Sequence, residues 1–155
     1  MTQEDKELLL QDLCGRLPYG IRGERIWTAP VSGSPEKGIY VFSTFDINVL
    51  TTGYHDCGEH GFREVRDYSF KPYLFPLSSM TKEQRKELDE KFNVIWIGRN
   101  NIQIHYHSQG YWDTDLEVDF QDWLWLINWL NKNHFDYRGL IEKGLALDAT
   151  GLNIY

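Results

Sequence analysis

Three polar residues near the end of the chain, His134, Asp136 and Arg138, alternate with aromatic residues and are of types that do chemistry. A histidine and an aspartate are two members of a hydrolytic triad, but the triad also needs a nucleophile. Ser78 and Ser79 are the suggestive serines, and the sequence PLSSM around them lacks the G-x-S-x-G pattern of a nucleophile elbow. A catalytic or ligand-binding site is therefore the less favoured interpretation of the trio.

The favoured interpretation is a structural joint between two helices. Asp136 stands where the N-cap of a following helix belongs, and Arg138 would lie in the first turn of that helix. His134 follows the position at which the preceding helix should end, where the helix dipole favours a histidine. The sequence therefore predicts that these three side chains fix the junction.

Histidine and cysteine cluster at two other places, as they do in metal sites. HDCGEH contains His55, Cys57 and His60, and HYH contains His105 and His107, which would share one side of a strand. Zinc binds both residue types, and the spacing from His55 to His60 matches H-x(3–5)-H. No cysteine pair accompanies them, so the alternative is a polar hairpin loop and a surface strand.

Five carboxylates follow one another between residues 113 and 122 without a basic residue, namely Asp113, Asp115, Glu117, Asp119 and Asp122. Acidic residues stabilise the N-terminus of a helix, so the simplest interpretation is that a helix begins here. The alternative is an acidic surface that binds a basic protein or mimics nucleic acid. Reversing the charges of Asp115 and Asp119 should then abolish binding.

Trp125 and Trp129 stand four residues apart, so they lie next to each other on a helix. A helical wheel places them opposite the broad apolar face that contains Phe120 and Leu124. They are then either buried under a neighbouring helix or exposed as an interface hot spot, where tryptophan is enriched.

The elements that position these residues are predicted from periodicity, caps and turn residues. A helix capped by Thr2 ends at Pro18, three or four antiparallel strands follow between residues 24 and 70, and a charged helix begins at the Thr81–Gln84 capping box. One or two strands, a long helix at about 116–132 and a final short helix complete the chain.

The predicted fold is a single α+β domain. An antiparallel sheet of about four to six strands is packed by the N-terminal helix and two C-terminal helices, with the charged helix outside. Between Ile39 and Thr44 both alternating sets of side chains are bulky, which predicts a sheet partly covered on both faces.

Composition and net charge argue against several classes of protein. The net charge of −7 over 155 residues argues against direct binding to nucleic-acid backbones. The two cysteines are too few for a disulfide framework, and neither a signal peptide nor a membrane span is recognisable. Because no signal peptide or membrane span is recognisable, we expect a cytoplasmic location. Nucleotide-binding glycine motifs are absent, and we expect no cofactor.

Three segments carry a resemblance to known proteins: LLLQDLCGRLPYGI, KPYLFPLSSMTKEQRKEL and WLNKNHFDYRGLIEKGLALDATGLNIY. They resemble a group of small proteins from gut anaerobic bacteria, their phages and mobile elements. The resemblance implies no activity. It implies that the three blocks are scaffold and that the segments between them vary in length and content, which favours binding over catalysis.

We therefore expect a non-enzymatic interaction protein with an unidentified protein partner. The first alternative is a metal-binding protein or hydrolase that uses the two histidine clusters. The second is an acidic decoy for a nucleic-acid-binding protein.

Overall fold

The computed structural model describes residues 1–28, 33–92, 94–98, 102–104 and 120–155. The helices in these ranges are α1 (Gln3–Arg16), α2 (Thr44–Thr52), α3 (Lys82–Phe92) and α4 (Phe120–Lys132). The strands are β1 (Arg22–Thr28), β2 (Pro35–Val41), β3 (Tyr54–Asp56), β4 (Phe62–Glu64), β5 (Arg66–Pro76), β6 (Val94–Ile97), β7 (Ile102–Ile104), β8 (Phe135–Asp136) and β9 (Leu147–Asp148).

The main sheet is built around β5, which pairs antiparallel with β1, as β1 does with β2. The short strands β8 and β9 pair with the end of β5 in parallel. The N–H of Phe75 donates to His134, whereas the carbonyl of Leu74 accepts from Ala149, so β8 and β9 lie on opposite edges of β5. β3 pairs with β4 and β6 with β7 in two separate hairpins.

Helix α1 is attached through an apolar stripe and a buried ion pair. Leu9 and Leu13 enter a core cluster with Phe70 of β5. Beside them Asp12 and Arg16 are 0% exposed, and Nε of Arg16 donates to Oδ2 of Asp12 over 2.6 Å. Nη2 of Arg16 also donates to the carbonyl of Phe135, which links α1 to β8.

Helix α2 is attached to the same face of the sheet through the buried carboxylate of Asp46. Its Oδ2 accepts from the N–H and the hydroxyl of Ser43, which fixes the first turn of the helix. Its Oδ1 accepts from Arg25 of β1 over 3.1 Å and from the hydroxyl of Tyr68 of β5 over 2.8 Å. Burial and the Asp46 charge raise the pKa of Tyr68 far above its usual range, so Tyr68 stays a donor.

A second apolar cluster lies at the other end of β5. Leu88 and Phe92 of α3 pack there with Leu126 and Leu130 of α4 and with Phe135 of β8. The rest of α3 is largely exposed, as expected for the charged outer helix. None of the described helices combines the length and apolar character needed to cross a membrane.

The α+β class and the N-terminal helix are confirmed, and two details of the sheet region are corrected. The sheet is mixed, because β8 and β9 run parallel to β5. Residues 44–52 lie in the region where only strands were expected, between residues 24 and 70, but they form α2, since the capping box of Ser43 and Asp46 favours a helix over the β-branched composition.

The expected final helix is replaced by turns between Leu140 and Gly144. Gly139 and Gly144 have φ of 71° and 69°, left-handed values that interrupt a right-handed helix. The long helix is present as α4 from Phe120 onward, and its expected beginning at 116–119 lies outside the described residues.

We predict that Asp12→Asn lowers the free energy of unfolding by about 3–5 kcal/mol, because it leaves the charge of Arg16 buried without its carboxylate. Urea unfolding followed by circular dichroism measures this change. Glu7→Gln, at an exposed position of the same helix, is the control and should change stability by less than about 0.5 kcal/mol. Equal effects of the two substitutions would contradict the assigned role of the pair.

Candidate functional site

The carboxylate of Asp136 is hydrogen-bonded to the backbone of nearby residues. Its two carboxylate oxygens accept hydrogen bonds from the N–H groups of Leu140 and Ile141, over 2.9 and 2.8 Å. The side chain is almost fully buried and therefore holds the turn that replaces the expected helix. Arg138 lies near the same junction, with its Nε 3.5 Å from Oδ1 of Asp12 and its guanidinium over the ring of Tyr137.

His134 is held in an unusual conformation under an aromatic ring. Its φ is 57°, in the left-handed region, and its ring stacks on that of Tyr155 with centroids 3.8 Å apart. Burial, followed by the positive charge of Arg16, lowers the pKa of His134 to about 4. The imidazole is consequently neutral at physiological pH.

Tyr155 also closes one end of the β1–β5 ladder. Its hydroxyl accepts from the N–H of Arg22 over 3.2 Å and donates to the carbonyl of Tyr73 over 2.7 Å. Burial raises the pKa of Tyr155 to about 12, so the hydroxyl keeps its proton. The contacts of His134 therefore belong to the attachment of the C-terminal segment to the sheet.

A cavity of about 350 Å³ brings Ser78 and Ser79 to Asp136. The hydroxyl of Ser79 donates to the carbonyl of Pro76, and both oxygens of Asp136 are already bonded to backbone. Among the described residues, no histidine lines this cavity. A serine, a histidine and an aspartate are thus not assembled there for nucleophilic catalysis.

The first histidine cluster lies on the β3–β4 hairpin. The ring of His55 packs edge-on against Phe45 of α2, with centroids 4.6 Å apart, and Cys57 is a free thiol. The side chain of His60 and both His105 and His107 lie outside the described residues. Within the described ranges, no three side chains of metal-ligating types are grouped so that they could hold a metal ion.

The tryptophan pair on α4 faces inward. Trp129 is 6% exposed and stacks on Phe135, and the half-buried Trp125 packs against Phe92. The exposed apolar residues of this helix are instead Phe120, Trp123 and Leu124. Asp115 and Asp119 lie outside the described residues, and Asp122 is paired with Lys91 over 2.7 Å.

The sheet carries a surface, which we call the open sheet face, whose residues are not among the candidates singled out from the sequence. In an antiparallel pair, residues directly opposite each other project to the same side. The register therefore places eight residues of β2, β1 and β5 on one face, namely Lys37, Ile39, Val41, Arg22, Glu24, Ile26, Ser69 and Lys71. Helices α1 and α2 pack on the other face, against Arg25, Phe42 and Phe70, so the described helices cover one face of this sheet.

The open sheet face combines exposed aliphatic and basic side chains. Ile39 and Val41 lie two residues apart on β2, so they project to the same side, and their side chains are 54% and 51% exposed. Around them are the cations Arg22, Lys37 and Lys71 and the carboxylate Glu24, which pairs with Lys37 over 3.0 Å. Positive charge thus prevails on this face, although the whole chain is acidic.

The outer edge of β2, the edge that faces away from β1, lies next to this face. The N–H of Phe42 donates to Ile21 over 2.9 Å, which makes these two residues a hydrogen-bonded pair of the β1–β2 ladder. Because bonded and non-bonded pairs alternate, the N–H and C=O groups of Lys37, Ile39 and Val41 point away from β1. No strand in the described ranges pairs with that edge.

No protein-family model, curated protein or solved structure matches the chain. The resemblance carried by the three sequence blocks consequently stays a prediction, and the assignment of function depends on the geometry of the described residues.

We predict that His134 makes the protein less stable in mild acid. Its pKa is about 4 in the folded protein and about 6.5 when unfolded, so its contribution is complete above pH 6.5 and is lost as pH falls toward 4. Between pH 7 and pH 5 this loss is on the order of 2 kcal/mol. His134→Asn retains a residue that tolerates positive φ and should remove this part of the pH dependence.

Urea unfolding of both proteins at pH 7 and pH 5 measures the difference, and carboxyl groups common to both cancel in the comparison. If the wild type and His134→Asn lose the same stability between pH 7 and pH 5, the prediction is wrong. His134 would then take up its proton as readily in the folded protein as in the unfolded protein.

Proposed function

We propose that the protein is a non-enzymatic interaction protein of the cytoplasm and that it binds a protein partner through the open sheet face. The observation that carries the proposal is the exposure of Ile39 and Val41 on a sheet whose opposite face is covered by α1 and α2. An antiparallel sheet with one face in water normally carries polar side chains on that face.

The mixture of residues on the face supports protein binding. Aliphatic side chains at the centre lose contact with water when a partner covers them, and surrounding charges supply orientation and specificity. Ile39 and Val41 project from a paired strand, so their backbone is already ordered before binding. This preorganisation lowers the entropy cost of association.

The resemblance described above agrees with this location. The blocks at residues 8–21, 71–88 and 129–155 contain most of α1, the end of β5 and the C-terminal junction. Strands β1 and β2 lie between the blocks, in the part that the resemblance implies to be variable. A binding surface that differs between members of a phage- or mobile-element-associated group would have this distribution.

The alternatives have less support among the described residues. His55 packs against Phe45, and the other histidines of the two clusters have side chains outside the described residues, so no described geometry favours a metal-dependent activity. The acidic run falls mainly on 113–119, outside the described residues, so no geometry favours a nucleic-acid decoy.

We predict that Ile39→Asp reduces capture of the partner at least ten-fold, because it places a carboxylate at the apolar centre of the binding face. The measurement is quantitative mass spectrometry of proteins captured from the native host by wild type and by folded variants. Leu124→Asp, at the comparably exposed outer side of α4, is the matched control and should leave capture unchanged.

The proposal is contradicted if no protein is captured in near-stoichiometric amount by the wild type, or if Leu124→Asp and not Ile39→Asp removes it. The second result would move the binding surface to α4.

A further inference from the structure

We infer that the partner contributes an extended acidic segment that joins the sheet as a strand beside β2. This inference rests on the proposed function and specifies the chemical class of the partner and its mode of binding. The segment would pair its backbone with the free edge of β2 and place aliphatic and acidic side chains on the open sheet face.

The backbone supports strand addition. Lys37, Ile39 and Val41 direct both their N–H and their C=O groups away from β1. The same residues place their side chains on the open sheet face, because every second residue of β2 both directs its backbone groups outward and projects its side chain to that face. An added strand would therefore form its hydrogen bonds and its side-chain contacts with one set of residues, as in β-augmentation.

The side chains specify what kind of segment fits. Residues paired with Ile39 and Val41 would lie directly against them and should be aliphatic. Lys37 is paired with Glu24 over 3.0 Å, and Arg22 of β1 and Lys71 of β5 add two further cations, so carboxylates of the segment would meet an excess of positive charge on this face. The net charge of −7 opposes binding of an acidic segment only weakly, since exposed charges farther apart than about 8 Å are largely screened at physiological ionic strength.

A second copy of the chain fits this edge less well. Lysine and proline on an edge strand discourage pairing between identical strands, and β2 begins with Pro35 and carries Lys37. We therefore expect β2 to pair less readily with the β2 strand of a second copy than with an acidic segment.

The test uses a labelled eight-residue peptide with threonine at alternate positions, valines to lie opposite Ile39 and Val41, and glutamates on either side of the valines. A second peptide carries lysine in place of each glutamate. Fluorescence anisotropy with the full chain measures both affinities. We expect the glutamate peptide to bind at least ten-fold more tightly than the lysine peptide.

Backbone pairing is tested on the peptide, so that folding of the protein is not at issue. Methylation of the amide nitrogen of the valine opposite Ile39 removes an N–H that would donate to β2 and should weaken binding at least ten-fold. Methylation at the neighbouring threonine, whose N–H points away from β2, is the matched control and should change affinity less than three-fold.

Three results would overturn the inference: equal binding of the glutamate and lysine peptides, equal effects of the two methylations, or no binding of either peptide at about 1 mM. A dimer of the protein alone that Ile39→Asp dissociates, seen by sedimentation, would also overturn it in favour of a second copy. If partner capture still depends on Ile39 while the peptides fail, the proposed function stands and only strand addition is lost.

Discussion

The arrangement of the sheet depends on one buried carboxylate, that of Asp46. It is fully buried and accepts hydrogen bonds from Ser43, Arg25 and Tyr68, which belong to the start of α2, to β1 and to β5. A buried charge is tolerated when it is paired and hydrogen-bonded, and here those bonds join three elements. They place α2 beside α1 on a single face of the sheet. The described helices leave Ile39 and Val41 exposed on the opposite face.

The sequence predicted the elements that have local signals. α1 follows from the cap at Thr2, and α3 follows from the Thr81–Gln84 capping box, in which the N–H of Gln84 donates to the hydroxyl of Thr81. α2 was not predicted because its β-branched and aromatic residues are typical of a strand, although Ser43 and Asp46 have the spacing of a helix capping box. Short parallel strands such as β8 have no pattern at all, because two residues cannot display a period.

Site residues were harder to predict, since exposure is decided by tertiary packing. Both sides of α4 are apolar, so its periodicity could not indicate that Trp129 faces the core and Trp123 faces solvent. The alternation along β2 was visible, but it could not indicate that the described helices pack on the face with Tyr40 and leave Ile39 and Val41 exposed. The left-handed conformation of His134 likewise has no local sequence signal, because histidine is not a residue that requires it.

Amide hydrogen exchange of the isolated protein, followed by NMR, shows whether the outer edge of β2 is free of a partner strand. The account predicts an alternating pattern, in which the amides of Lys37, Ile39 and Val41 exchange at least about a hundred-fold faster than those of Gly38 and Tyr40, which bond to β1. Equal protection of the two sets would contradict the account, because the outward N–H groups would then already be paired.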